Sequence, residues 1–135
     1  MEIIHQKIAR IREHLKLIRS IENECNARFH TDPVYRGALL HYLYLTSDSC
    51  ISLAEMLIRH LGLRPPQSYS DSIDVLGEAG VLEADFAYRF AQIAGFRNFL
   101  EHDYEKVDQD IICNAILPGL VDVDEYLEQV IKALN

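Results

Sequence analysis

The sequence predicts an all-α protein, an antiparallel bundle of four long helices with one short one. Apolar residues recur at spacings of three and four over long stretches, and no stretch of length alternates in the manner of a strand. Proline and glycine divide the chain into helix-sized pieces, with no internal repeat or low-complexity tract.

Ile4, Ile8, Ile11, Leu15 and Ile18 form one apolar stripe, predicting a first helix from near Met1 to about Asn26. Asp32-Pro33 interrupts it, because proline suits a helix start and keeps the preceding residue out of helical geometry. A second helix follows with Leu40, Leu43, Ser47, Cys50, Ala54, Leu57 and Leu61 on one face. Its small residues permit close helix approach.

Gly62 is placed to cap this helix, and Arg64-Pro65-Pro66-Gln67-Ser68 reads as a stiff connector. Ser70 or Asp71 is expected to cap a short helix carrying Ile73, Val75 and Leu76, ended by Gly80. A fourth helix begins near Glu83, with Phe86, Phe90, Ile93 and Leu100 inward and Arg97 on the same stripe. A charged residue on an apolar face marks an interface or a site. After an expected break at His102-Asp103-Tyr104, a final helix carries Ile111, Ile112, Ala115, Ile116, Leu127, Val130, Ile131 and Leu134. Pro118-Gly119 should kink or split it.

Apolar residues make up 49% and charged residues 25%, a balance that fits a globular protein, and residues 1–135 are read as one domain. The N-terminus lacks the unbroken apolar core of a signal peptide, and no apolar run approaches the roughly 20 residues of a membrane span. A cytoplasmic protein without membrane contact is expected. Cys25, Cys50 and Cys113 are odd in number and far apart, which predicts buried free thiols rather than a disulfide framework or a zinc site.

The formal charge of −8 is unusual for a protein that handles nucleic acid. It is unevenly spread: Lys7, Arg10, Arg12, Lys16 and Arg19 crowd the first helix, while nine of the 21 acids lie between Glu101 and Glu128. A polarised surface follows.

No glycine-rich phosphate loop, HExxH, GxSxG or metal-ligand spacing is present, so neither metal nor cofactor is expected. What remains is Gly95-Phe96-Arg97-Asn98-Phe99-Leu100-Glu101-His102-Asp103-Tyr104, which gathers a guanidinium, an amide, an imidazole and a phenol at a helix end. Arginine binds phosphate in two-point fashion and stabilises added charge in a phosphoryl transition state, while histidine exchanges protons near neutrality. RNA brings its own nucleophile in the 2′-OH, so this pair suffices for cleavage without metal, giving a 2′,3′-cyclic phosphate and a 5′-hydroxyl.

Residues five apart on an ideal helix point about 140° away from each other. Either the helix ends before His102, or a two-fold axis brings the pairs of two subunits into one cleft. The plainer alternative is an ordinary Arg97–Glu101 ion pair, a His102 at a helix C-terminus and a Tyr104 that only packs.

The segment resembles the R-x4-H-x-Y signature of HepT-like toxins of the HEPN superfamily, read as Arg97, His102 and Tyr104 with Asn98 after the arginine. The run around Cys50-Ile51, the connector from Gly62 to Asp74 and the stretch LGEAGVLEADFAYRFAQIAGFRNFLEHDYEKVD look like the same family, so the match covers residues 36 to 112 well. The resemblance implies a HEPN bundle that forms a C2 homodimer, with Arg97 and His102 catalytic and Asn98 supporting. It implies a ribonuclease toxin acting on tRNA or mRNA in a shared cleft. It also implies an MntA-type nucleotidyltransferase antitoxin that transfers AMP to Tyr104. Adenylylation would neutralise the basic site and obstruct RNA.

Glu101 departs from the family's usual apolar residue. A carboxylate there favours a protonated neighbouring imidazole, repels RNA, or pairs with Arg97 and masks it. Arg36 and Asp48 or Glu55 are loose candidates to assist the cleft, and Tyr44 is expected to pack or to meet a second subunit. The competing reading makes the bundle a non-catalytic docking partner of the nucleotidyltransferase.

Overall fold

A computed structural model describes residues 1–135, and it is helical throughout with no strand. Helix α1 (Glu2–Ile21) runs into a 3-10 turn and the short α2 (Cys25–Arg28). The first helix thus ends at Ile21 rather than near Asn26. The Tyr35 hydroxyl donates to the Ile21 carbonyl at 2.6 Å, satisfying an acceptor that the helix end leaves free.

Helix α3 (Pro33–Leu61) is the axis of the molecule. The Asp32 carboxylate accepts from the Tyr35 amide at 3.0 Å at its start, with Pro33 in the first turn. Gly62 ends it with φ of +67°, a left-handed conformation that a residue without Cβ adopts freely. α1 packs along one side of α3, and α4 (Tyr69–Glu78) and α6 (Ile93–Asp103) pack on others.

Ser68, not Ser70 or Asp71, caps α4: its Oγ accepts from the Asp71 amide at 3.0 Å. The Asp71 carboxylate is engaged elsewhere, by the Gln67 amide at 2.9 Å and by Arg64 at 2.8 Å. Arg64 also binds Glu78, so one guanidinium ties the connector to both ends of α4.

The expected fourth helix is broken into α5 (Ala84–Phe90) and α6. Bonds of the i→i+3 kind from Gln92 to Arg89, Ala94 to Ala91 and Gly95 to Gln92 tighten the chain there. α6 then continues through Asp103, so His102 is helical and the expected break falls later, in the 3-10 turn Tyr104–Lys106.

The last part of the chain starts with α7 (Gln109–Ile111), widens into π-type turns over Ile112–Ile116, and passes through α8 (Leu117–Gly119) into α9 (Val121–Leu134). Pro118 lacks the N–H that a regular helix needs and crowds the carbonyl four residues before it, which accounts for the irregularity at the expected place.

One contiguous core of 36 buried apolar side chains unites these elements. Tyr126 of α9 is fully buried, stacks on Phe90 at 4.6 Å and donates to the Cys50 carbonyl of α3 at 2.8 Å. Arg19 pairs with Asp124, so the basic first helix and the acidic last one partly neutralise each other across the bundle.

The cysteine expectation is overturned. Cys25 and Cys113 form a disulfide with Cα atoms 5.5 Å apart, although 88 positions separate them; Cys50 alone is free, and buried. Sequence spacing carries no information about two segments that meet only in space. The Asn26 and Asn114 side chains hydrogen-bond at 3.0 Å beside it.

Candidate functional site

Arg97 projects from α6 onto α3 and is only 9% exposed. Its Nε donates to Asp48 at 3.0 Å, Nη1 to Asn98 at 2.9 Å and Glu101 at 2.6 Å, and Nη2 to the Tyr44 hydroxyl at 3.3 Å. The guanidinium also lies 4.7 Å from the Tyr69 ring centre and 5.5 Å from that of Tyr44. Arginine has five N–H donors, and these bonds engage four. Burial opposes its charge, but Asp48, Tyr44 and Glu101 more than offset this and hold its pKa above the ordinary arginine range.

His102 is exposed, on the solvent side of the same helix. Backbone geometry makes the two residues diverge, yet their side chains meet at one atom. Glu101 Oε2 lies 2.6 Å from Arg97 Nη1 and 3.4 Å from His102 Nε2. Side-chain reach, which the directions of the Cα atoms leave out, thus lets one intact helix bring both within range of a single oxygen.

Tyr104 begins the turn after α6 and is 56% exposed. Its side chain lines a cleft of about 900 Å³ between the start of α3 and the end of α6, which Arg36, Tyr44 and Glu101 also line. Burial raises the Tyr44 pKa, with Arg97 opposing, so this residue stays a neutral phenol.

Residues 11–130 match the family described as Ribonuclease HepT-like. The chain belongs to the HepT-like family. The mRNA nuclease HepT of Shewanella oneidensis is 27% identical to it over 132 residues, 98% of each chain. The solved structure of the tri-AMPylated Shewanella oneidensis HEPN toxin in complex with MNT antitoxin aligns with a TM-score of 0.86 at 27% identity, covering 98% of both chains. A toxin–antitoxin structure with AMP-PNP aligns at 0.87 and 26% identity, covering 98% of this chain and 99% of that one.

Within this HepT-like bundle, Arg97, Asn98 and Glu101 are brought together with Asp48 and Tyr44, while His102 and Tyr104 stand at the rim. Glu55 enters none of these contacts. The sequence points to Asp48 only loosely, to Tyr44 as a packing or dimer contact, and not to Tyr69. Tyr44 and Asp48 are one helical turn apart on α3, next to the small residues of its apolar face, and that pairing was the available signal. Nothing local pointed to Tyr69. No helix in the molecule is long and apolar enough to cross a membrane.

Proposed function

We propose that this chain is an RNA endonuclease toxin that cleaves without metal, with Arg97 and His102 as its catalytic pair. The observation that carries the reading is the position of Glu101 Oε2, one negatively charged oxygen within reach of both Arg97 and His102. A non-bridging phosphate oxygen of RNA would take that place. Arg97, oriented by Asp48 and Tyr44, would then bind the phosphate and the charge that builds up on it. Asn98 supports the guanidinium from the other side.

The 2′-oxygen attacks the adjacent phosphorus, and His102 accepts its proton. The bond to the 5′-oxygen breaks, and the leaving oxygen takes up a proton, leaving a 2′,3′-cyclic phosphate and a 5′-hydroxyl. A C2 homodimer that sets two such sites in one cleft would supply a second imidazole, so that one acts as base and the other as acid. The substrate class is mRNA or tRNA, and the site of action is the cytoplasm.

An MntA-type nucleotidyltransferase antitoxin would neutralise the toxin at Tyr104, whose exposure leaves the phenol accessible. The Tyr104 oxygen attacks the α-phosphorus of ATP, the bond to the β-phosphate bridging oxygen breaks, pyrophosphate departs and the phenolic proton passes to solvent. The added phosphodiester places negative charge and bulk beside the RNA site.

The test is incubation of the protein with RNA in EDTA beside Arg97→Ala and His102→Ala, with end-group analysis of the fragments. Cleavage by the wild type alone, leaving cyclic-phosphate ends, is expected. Absence of cleavage by a chain whose Tyr104 is unmodified by mass spectrometry would instead favour the docking-partner reading.

A further inference from the structure

The cleft beside Tyr104 has a composition that the RNA-cleaving pair does not explain. His30, His41 and Tyr44 contribute rings to its lining, with Arg36 among them. The Arg36 Nη1 donates to the Phe29 carbonyl at 2.9 Å, which anchors the head group, and no carboxylate lies within ion-pairing distance of it. Arg19, Arg28, Arg64, Arg89 and Arg97 have such partners, and Arg10, Arg12 and Arg59, which have none, are exposed, whereas Arg36 is half-buried. A half-buried, anchored and uncompensated guanidinium is a receptor for an anion. Its setting among aromatic and imidazole rings adds a platform for a nucleobase. The cleft volume lies within the range of small-molecule sites.

We infer that this cleft is the seat of the adenylyl group on Tyr104, with Arg36 binding its phosphodiester and the rings of His30, His41 and Tyr44 contacting the adenine. This rests on the reading of Tyr104 as the adenylylated residue. The phenol is itself part of the wall, so a phosphodiester on its oxygen starts inside the cleft and needs no rearrangement of α6. Glu101 and Glu105 also line the cleft. Glu101 is occupied by Arg97, and Glu105 forms no ion pair, leaving it available to accept from ribose hydroxyls or the adenine amine. Seating holds the modifying group in place, so that it blocks the RNA site instead of swinging free in solvent.

The experiment adenylylates the full chain with the nucleotidyltransferase antitoxin and ATP, in wild type, Arg36→Gln and Arg36→Lys. Modification of Tyr104 is confirmed by mass spectrometry. Release of AMP by a phosphodiesterase and residual RNA cleavage are then measured. Arg36→Gln is expected to release AMP about tenfold faster than wild type, as loss of one charge-assisted contact predicts. It should also regain RNA cleavage in its modified form, expressed relative to the unmodified form of the same variant, with Arg36→Lys in between.

Equal release rates from wild type and Arg36→Gln would overturn the seating while leaving Tyr104 modification intact. Failure of the antitoxin to modify Tyr104 would remove the underlying reading and this inference together. Weaker RNA cleavage by unmodified Arg36→Gln, with unchanged AMP release, would assign the cleft to the RNA and overturn the inference as well. Helical circular dichroism and the Lys variant separate these results from misfolding.

Discussion

Replacing Glu101 with valine should make this protein a faster nuclease. In the free chain Glu101 Oε2 sits 2.6 Å from Arg97 Nη1 and 3.4 Å from His102 Nε2, where the proposed mechanism needs a phosphate oxygen. The Arg97 side chain is 11% exposed and that of Glu101 38%, so the pair is intermediate between two measured regimes. Exposed ion pairs contribute about 0.2–1 kcal/mol, and hydrogen bonds to charged groups about 1.5–3 kcal/mol. A value of about 1–2 kcal/mol for displacing the carboxylate follows, equivalent to roughly 5- to 30-fold. Arg97 keeps Asp48, Asn98 and Tyr44 in the variant, so its aim is preserved. Initial rates on a fluorogenic RNA at low substrate should therefore rise roughly 5- to 30-fold in Glu101→Val. Glu101→Gln, which loses the charge but keeps an acceptor, should rise less. Unchanged or reduced rates in both variants, with native circular dichroism, would refute the masking argument.

Reduction of Cys25–Cys113, or Cys25→Ser, should cost roughly 2–4 kcal/mol in urea unfolding because the bridge closes a long loop of the unfolded chain. The buried Cys50 offers no competing reactive thiol, since burial pushes its pKa up. Identical midpoints with and without reductant would show that the bridge adds nothing. His14 is buried with Nδ1 unpaired, and burial first, then the Arg10 charge, holds its pKa below 6.5. The unfolded chain then binds the extra proton, so this contribution is complete above about pH 6.5 and is lost as pH falls through the depressed folded value. His14→Leu should thus be relatively more stable at about pH 5 than at about pH 7.5; a pH-independent difference from wild type would contradict this. A Cβ on Gly77 would lie 2.6 Å from that of Ala87, so Gly77→Ala should destabilise by about 1–3 kcal/mol in thermal or urea melts despite alanine's better helix propensity. A neutral or stabilising result would mean that α4 and α5 separate freely.

Much of the architecture is local in origin, and that part was legible. The three-four spacing of Ile4 to Ile18 and of Leu40 to Leu61 encodes a buried face wherever the helix lies, and Pro33 and Gly62 act on their own backbone. Arg97 stood out for the same reason, as a charge in the apolar register of its helix, and it is indeed buried there. The R-x4-H-x-Y string from Arg97 to Tyr104 was visible as a run of residue types.

Distances between remote segments were not legible. The Cys25–Cys113 bridge and the Asp48 and Tyr44 contacts to Arg97 join positions about 50 to 90 apart, and helical periodicity says nothing about which faces meet. The break between α5 and α6 arises from tightened backbone bonds at alanines and a glycine, with no proline to announce it. Sequence alone determined which residues are chemically able to act and which faces are apolar, because both are properties of the local chain. Only the tertiary structure decided that Glu101 lies within reach of both Arg97 and His102 and that Arg36 faces a ring-lined cleft without a carboxylate partner, because these depend on side-chain reach and on the packing of distant helices.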